Sequence, residues 1–350
     1  MLETVVPTKI IGPFKISGKF CSEDEEINVP LSTFESPLWY SISRGARLSR
    51  QSFGINVRIF DDLMTRSILF SSNDLDFAEK FVNEVLDIEF DNIKTIAEST
   101  SAHLKFKSVT HRVVGRNIYV RIAINSENAS GHNMVTIAAQ KIADYLCDKY
   151  QKLKYISVSG NYCTDKKVSS VNGILGRGKY VVAEMMVERE ICRKILHTEI
   201  EKIHDINLRK NLLGSIIAGS VNSANAHFAN MLLAIFLAFG QDAANIVEGS
   251  QGIVTTEIID DFLCFSVTIP NLIVGTVGNG KTLDFALQNF KAIGCYDENF
   301  VPQKFASLRF AEIIAAVVLC GEISLLASLT VPGNLVKSHI SIERKNKIFK

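Results

Sequence analysis

The stretch GTVGNGKT, residues 275–282, has Gly275, Gly280, Lys281 and Thr282 in the four fixed places of a phosphate-cradling loop, G-x-x-x-x-G-K-[ST]. An apolar run (FLCFSVTIPNLIV, from Phe262) precedes it and a helix-like LDFALQNFKAIG follows, the local context that nucleotide chemistry wants. Four other stretches set ionisable groups where the composition is apolar enough to bury them. SGNYCTDKK carries Asn161, Tyr162, Asp165, Lys166 and Lys167 in a turn-rich loop, and STFESPL sets Glu35 beside Pro37. NAHFAN puts His227 and Asn230 three residues apart on one helix face, and FGQDAAN places Asp242 at the end of an apolar run. Each also has an ordinary explanation: a solvated D-K-K turn, a surface carboxylate, a His–Asn pair completing core hydrogen bonds, and an aspartate capping the helix that follows.

Two patterns of elements must position these groups. From Arg66 to Gly160 the periodicity reads strand (RSILF), helix (DLDFAEKFVNEVLDIEF), two strands (LKFKSV, NIYVRIAIN), helix (HNMVTIAAQKIADYLCDKY) and strand (KYISVSG). That β-α-β-β-α-β order predicts a split βαβ module of about 90 residues inserted in a larger domain. Ile118, Val120, Ile122 and Ile124 alternate with Tyr119, Arg121 and Ala123, which suits a half-buried antiparallel strand. After Val182 the chain reads as helical, with Met185, Val187, Ile191, Ile195 and Leu196 on one face of AEMMVEREICRKILHTEIEKIHDINLRK. SANAHFANMLLAIFLAFG is apolar all round and predicts a buried central helix. The last helix, FASLRFAEIIAAVVLCGEISLLASL, stops at Pro332-Gly333 and leaves a basic tail. On one unbroken helix Asn230 and Asp242 would lie about 18 Å apart, so for both to reach one site the helix must break near Gly240.

Composition narrows the classes. The 350 residues, 47% of them hydrophobic, suffice for a large core, and a formal charge of +1 gives no field to draw nucleic acid or an acidic membrane. Seven cysteines without a C-x-x-C pair fit neither a disulfide framework nor a zinc cage, which suggests a reducing cytoplasm. No basic region followed by an apolar stretch opens the chain, so no secretory signal is expected. Residues 211–241 carry no Asp, Glu, Lys or Arg, but only Phe228–Phe239 is densely apolar, the length of a core helix rather than a membrane span. A P-loop NTPase would need further strands and a metal-binding Asp after position 282, where about 70 largely helical residues remain, and the NTPase reading is set aside.

Taken together and in this order, SGNYCTDKK, NGILGRGKYVVAE, NAHFANMLLAIFLAFGQDAANIVEGS, TIPNLIVGTVGNGKTL and LVKSH closely resemble the 3-hydroxy-3-methylglutaryl-CoA reductases of the class that includes the eukaryotic enzymes. The resemblance runs from about Pro7 to Arg344. It implies an α+β fold: a large, mainly helical catalytic domain with a central buried helix (1–66 and 159–332), an inserted ferredoxin-like NADP(H)-binding domain (67–158) and a mobile C-terminal flap (333–350). The implied reaction reduces the thioester to mevalonate and free CoA by two hydride transfers from NADPH, through a hemithioacetal and an aldehyde.

The resemblance also assigns roles. Lys166 would stabilise the carbonyl oxyanion, Glu35 would be the general acid, Asp242 would stand between them, and His339 would protonate the leaving thiolate. Arg66, Ser159, Lys167 and Lys210 would clamp the substrate carboxylate, with Asn161, Asp165, His227 and Asn230 completing the pocket and Arg44 reaching coenzyme A. Asn161 and Asn230 would bond the lysine and Asp242. In ENASGHNM, the residues Asn128, Ser130, Gly131, His132 and Asn133, with Arg344 from the tail, would meet the dinucleotide. A homodimer or dimer of dimers sharing its active site across the interface is implied, with no metal and no membrane anchor.

This chain departs from the family in places. The family's cofactor loop usually reads D-A-M-G-x-N-M, so Asn128 replaces an aspartate and Ser130 a methionine. Ala102 stands where an arginine often meets the 2′-phosphate, with Lys105 or Arg344 left to compensate, which keeps NADH open as a hydride donor. Lys345 takes the place of a serine phosphorylated in animal relatives. The family's glycine loop reads GTVGGGT, so Lys281 is expected to be an incidental replacement. The other reading of the whole chain, a catalytically silent relative with a binding or regulatory role, is opposed by four intact catalytic positions.

Overall fold

The computed structural model describes residues 4–341. Strands β1 (Thr8–Ser17) and β2 (Glu25–Ser32) pair antiparallel and lead into the helix Ser36–Gln51 and an 18-residue strand, β3 (Ile55–Ser72). There follow β4 (Lys105–Val114), β5 (Asn117–Asn125), β6 (Leu153–Ser157), β7 (Gly178–Glu188), β8 (Ile253–Ile259) and β9 (Phe262–Leu272). The first half of β3 pairs with β7 and the second half, Met64–Ser71, pairs with β5. One strand thus runs through two sheets, β2-β1-β3-β7-β9-β8 and β6-β3-β5-β4. Its middle is exposed or half-buried and carries a register shift between Ile59 and Asp61, so the apolar alternation is interrupted there. A strand beginning at Arg66 is only the second half of what forms.

In the smaller sheet every neighbouring pair is antiparallel. The helix His132–Lys149 buries Val135, Ala138, Ala139, Ile142, Ala143 and Leu146, one stripe at helical spacing, in its core. Ile118, Val120, Ile122 and Ile124 are buried as the alternation predicts, but Arg121 and Ala123 on the opposite face are buried too. Arg121 reaches Gly176 O at 2.6 Å, so this end of β5 is covered by the loop before β7.

The larger body combines its helices with a six-stranded sheet that the sequence reading did not anticipate. Residues 183–188, read from sequence as helix, belong to β7, where Val181, Ala183, Met185 and Val187 point inward at period two. Glu184 and Glu188, four apart, imitate a helical polar face while alternating outward on a strand.

Two buried helices pack beside that sheet. Phe228–Ala238 forms the expected central helix and ends where predicted: Gly240 takes φ 59, a left-handed conformation that glycine adopts without strain. The longer helix, Ala306–Leu329, is long and apolar enough to cross a membrane, yet 94% of its apolar window is buried inside the fold. It carries two buried carboxylates. Glu312 accepts the amides of Lys19, Phe20 and Cys21, and Glu322 accepts those of Ala226 and His227, fixing the turn that starts the central helix. All seven cysteines are free.

Candidate active site

The SGNYCTDKK loop leaves β6 and is bent by three non-glycine residues in the left-handed region, Asn161, Thr164 and Lys166. Such backbone persists only where the surroundings over-determine it. Here they do so through Arg177, a wholly buried guanidinium in the G-R-G turn before β7. Its Nη2 meets Asp165 Oδ1 at 2.7 Å, its Nε meets Glu248 Oε1 at 3.3 Å, and its Nη1 donates to Thr65 O on β3. The same Glu248 oxygen accepts the Lys166 amide at 2.6 Å. Arg177 and Glu248 lie in stretches that carried the family resemblance, but the sequence assigned them no role.

Held in this way, Lys166 Nζ reaches Asp242 Oδ2 at 2.7 Å. The hydrogen bond to Asp242 raises the proton affinity of Lys166. Burial opposes ionisation of Asp242, but Lys166 outweighs it and the carboxyl sits below its usual range. Asp242 also accepts the Ala244 amide at 3.1 Å, so it both caps the next turn and binds the lysine.

The pair faces a cavity of about 730 Å³ lined also by Arg66, Asp165, the segment Ala129–Met134 and the glycine loop Val277–Lys281. Arg66 donates to Thr136 Oγ1 at 2.7 Å and stands 3.6 Å from Asp165. Burial first, and Arg177 next, hold His132 down to about 4, so its imidazole is neutral at neutral pH. Gly131, at φ 88, has no room for a side chain, since an added Cβ would lie 2.6 Å from Ser126 Oγ. The helix it opens has no side-chain cap, which leaves its first amides turned to the cavity end.

The glycine loop is not a P-loop. It leaves β9, which pairs antiparallel with both of its neighbours, and the Gly275 amide and carbonyl are both taken by Gln241, at 3.1 and 2.9 Å. The Thr276 amide is bound by Asn128 O. Lys281, expected to be an incidental replacement, is only 6% exposed and lines the cavity.

Glu35 lies elsewhere. It precedes the helix Ser36–Gln51 and lines a second cavity, of about 390 Å³, with Arg44, His227 and Asn230. Asn230 bonds His227 Nδ1 at 3.4 Å rather than Asp242, and His227 Nε2 donates to Gly321 O. Burial holds His227 down to about 4. Arg44 spends its donors on Ser324 and Ser328, tying two helices together. Lys210, whose proton affinity burial lowers, bonds Asn211 and lies near Glu322. The expected Glu35–Asp242 contact is therefore not made within one chain.

Lys167, Asn161, Ser159 and Asn128 are not among the residues lining either cavity. Lys167 is exposed and donates to Asp165 O, Asn161 is exposed, and Ser159 has its amide and carbonyl bound to the Ser157 hydroxyl. Asn128 turns away from the dinucleotide loop, donating to Gln303 O and accepting the Ser307 amide. His339 ends the short helix Asn334–His339, and Arg344 lies outside the described residues.

A lysine–aspartate pair thus faces a glycine-lined loop on a mixed α+β fold, an arrangement unlike a Rossmann dinucleotide site. The chain belongs to the hydroxymethylglutaryl-coenzyme A reductase family, whose sequence profile matches residues 3–344. It is 40% identical over 344 residues to the 3-hydroxy-3-methylglutaryl-coenzyme A reductase of Methanocaldococcus jannaschii, covering 97% of this chain and 82% of that one. It is 38% identical to the Aeropyrum pernix enzyme (95% and 78% covered) and 36% identical to enzyme 1 of Arabidopsis thaliana (98% and 57%). In fold it resembles the class II reductase of Streptococcus pneumoniae bound to NADPH, with a TM-score of 0.74 at 16% identity over 95% of this chain and 77% of that one. Its reaction is the reduction of 3-hydroxy-3-methylglutaryl-CoA to mevalonate.

Proposed function

We propose that Lys166, Asp242, Glu35 and His339 carry the reduction with NADPH as hydride donor, at a site completed between two copies of the chain. The observation that carries this reading is the separation of the catalytic set: Lys166 and Asp242 share one cavity while Glu35 shares another with His227 and Asn230. Two half-sites of this kind can complete each other across a two-fold axis.

The residues present fit a nicotinamide dinucleotide. The positive-φ Gly131, the uncapped amides of the following helix and Gly278, where a Cβ would meet open space, form a cradle for a phosphate-bearing backbone. Ser130, Gly131 and Asn133 would hold it, on a smaller unit read as ferredoxin-like, and the bound nicotinamide supplies hydride. The chain's own groups do the rest. Lys166, charged and tethered to Asp242, donates to the carbonyl oxygen as negative charge develops there, a role worth on the order of 10²- to 10³-fold. Glu35 of a second copy brings the proton for the alcohol oxygen. His339 protonates the leaving thiolate, which stops it re-adding to the aldehyde. Lys167 and Ser159 on one chain and Lys210 on the other bracket the substrate carboxylate.

Subunit complementation tests both parts. Lys166→Ala and Glu35→Gln proteins are each expected to lose thioester reduction while retaining substrate binding. Dissociated and reassociated together, they are expected to regain roughly a quarter of wild-type turnover, the statistical share of intact shared sites. No recovery on mixing would show that each chain completes its own site.

A further inference from the structure

Lys281 is a buried cation for which the reaction as described has no use. Its side chain is 6% exposed yet borders the cavity that holds Lys166 and Asp242. Two glycines bring it there. Gly240 (φ 59) and Gly280 (φ 82) meet backbone to backbone, so closely that a Cβ on Gly240 would lie 2.1 Å from Gly280 O. The turn that delivers Asp242 and the loop that delivers Lys281 are thereby pressed together. Among the described residues none gives Lys281 Nζ a hydrogen bond or ion pair, and Asp242 is the charged group whose field opposes the penalty of its burial.

We propose that Lys281 is a positioning residue of the reaction centre, a second ammonium that shares the Asp242 carboxylate with Lys166 and so leaves the Lys166 proton freer for the substrate oxygen. The proposal rests on the reading that Lys166 serves that oxygen. A carboxylate bound to one ammonium holds its proton tightly, and a second cation drawing on the same carboxylate weakens that hold. A donor less occupied by its own counter-ion is the stronger partner for a developing oxyanion. The surrounding charged and titratable groups come from several elements: Asp165 on the Lys166 loop, Arg66 on β3, the neutral His132 at its helix start, Arg177 before β7 and Glu248 in the turn after Asp242. The glycine loop adds only Lys281 to this group.

The test uses trace acetylation of amines by acetic anhydride across pH, read peptide by peptide, alongside steady-state kinetics and thermal unfolding. The proteins compared are the wild type, Asp242→Asn, Lys281→Met and Lys281→Arg. Asp242→Asn is expected to lower the labelling midpoints of both Lys166 and Lys281. Lys281→Met is expected to raise the Lys166 midpoint by about half a unit to one unit, the size of a like charge removed at short range. It is also expected to lower kcat about tenfold with both KM values little changed, and Lys281→Arg should restore kcat. A Lys281 midpoint indifferent to Asp242→Asn overturns the proposal, and so does a Lys281→Met protein whose one change is weaker dinucleotide binding. Should Lys281→Met fail to fold, the Asp242→Asn labelling decides alone. Labelling needs no turnover, so a wild type that left the thioester unreduced would sink the functional reading without deciding this one.

Discussion

Arg177 Nη2 and Asp165 Oδ1 meet at 2.7 Å, with the guanidinium wholly buried and the carboxylate a quarter exposed. Burial opposes ionisation of Asp165, but Arg177, with His132 and Arg66, overrides it and holds the carboxyl below its usual range. The same guanidinium satisfies buried Glu248, whose other oxygen, Oε2, is without a partner. Removing Arg177 would therefore strand buried Glu248, leave Asp165 to Arg66 alone among the guanidiniums, and release the strained backbone that presents Lys166. Arg177→Met is expected to cost about 3–5 kcal/mol, the range for breaking a buried pair from one side, measurable by urea unfolding. Arg177→Lys should recover little, because one ammonium cannot reproduce the fork that spans Asp165, Glu248 and Thr65.

A second prediction concerns acid stability. His132 titrates near 4 in the folded chain against an ordinary 6.5, because burial, and then Arg177, disfavour its charged form. Between those two values the unfolded chain binds a proton that the folded chain refuses, so stability falls as pH drops through that window and is complete above it. His132→Gln removes this term. Measured by urea midpoint at neutral pH and near pH 5, the variant should lose about 1–2 kcal/mol less than the wild type on acidification. His227 adds loss of the same sign, whereas Glu322, pushed up to about 7 by burial, gains stability as pH falls. The difference between wild type and variant isolates His132 from both.

Cofactor choice yields a third. Ala102 lies in an exposed turn beside the His103–Glu127 pair (2.7 Å), next to the dinucleotide loop. A bidentate guanidinium at 102 would read a 2′-phosphate that an alanine cannot. Ala102→Arg is expected to raise the ratio of kcat/KM for NADPH over NADH several-fold, through the KM for NADPH. An unchanged ratio would mean that Lys105 or another cation already reads the phosphate.

The parts of the site that were legible in the sequence share one property: their partners are close in the chain or their blocks are distinctive. The break at Gly240 was inferred on the condition that Asn230 and Asp242 reach one site. The helix does end there, but the two residues line different cavities. Lys166 and Asp242 came from two unusual motifs. Arg177 was not legible, because nothing around G-R-G announces partners 12 and 71 residues away. Lys281 was set aside because the family loop reads GTVGGGT, and its burial shows only in the structure. β7 was mistaken for helix because two glutamates four apart satisfy both periods. Glu35 was expected beside Asp242 from the family resemblance alone, and within one chain the two line different cavities.

The fourth prediction falls on His339. In the structure the backbone from Asn334 to His339 turns helical directly after Gly333, which takes φ 75. A segment starting at a glycine beside a cavity wall that includes Leu335 can bring a proton donor to that cavity's mouth. If His339 protonates the departing thiolate, its loss should matter only when there is a thiolate to expel. His339→Gln is expected to reduce thioester turnover by about 10²-fold, the lower end for a general acid, while mevaldehyde, offered with the same nicotinamide donor, is reduced at close to the wild-type rate. The two substrates share the Lys166 oxyanion contact, so their ratio separates a leaving-group role from general damage. Equal losses on both would make His339 a structural residue and return the leaving-group proton to another donor.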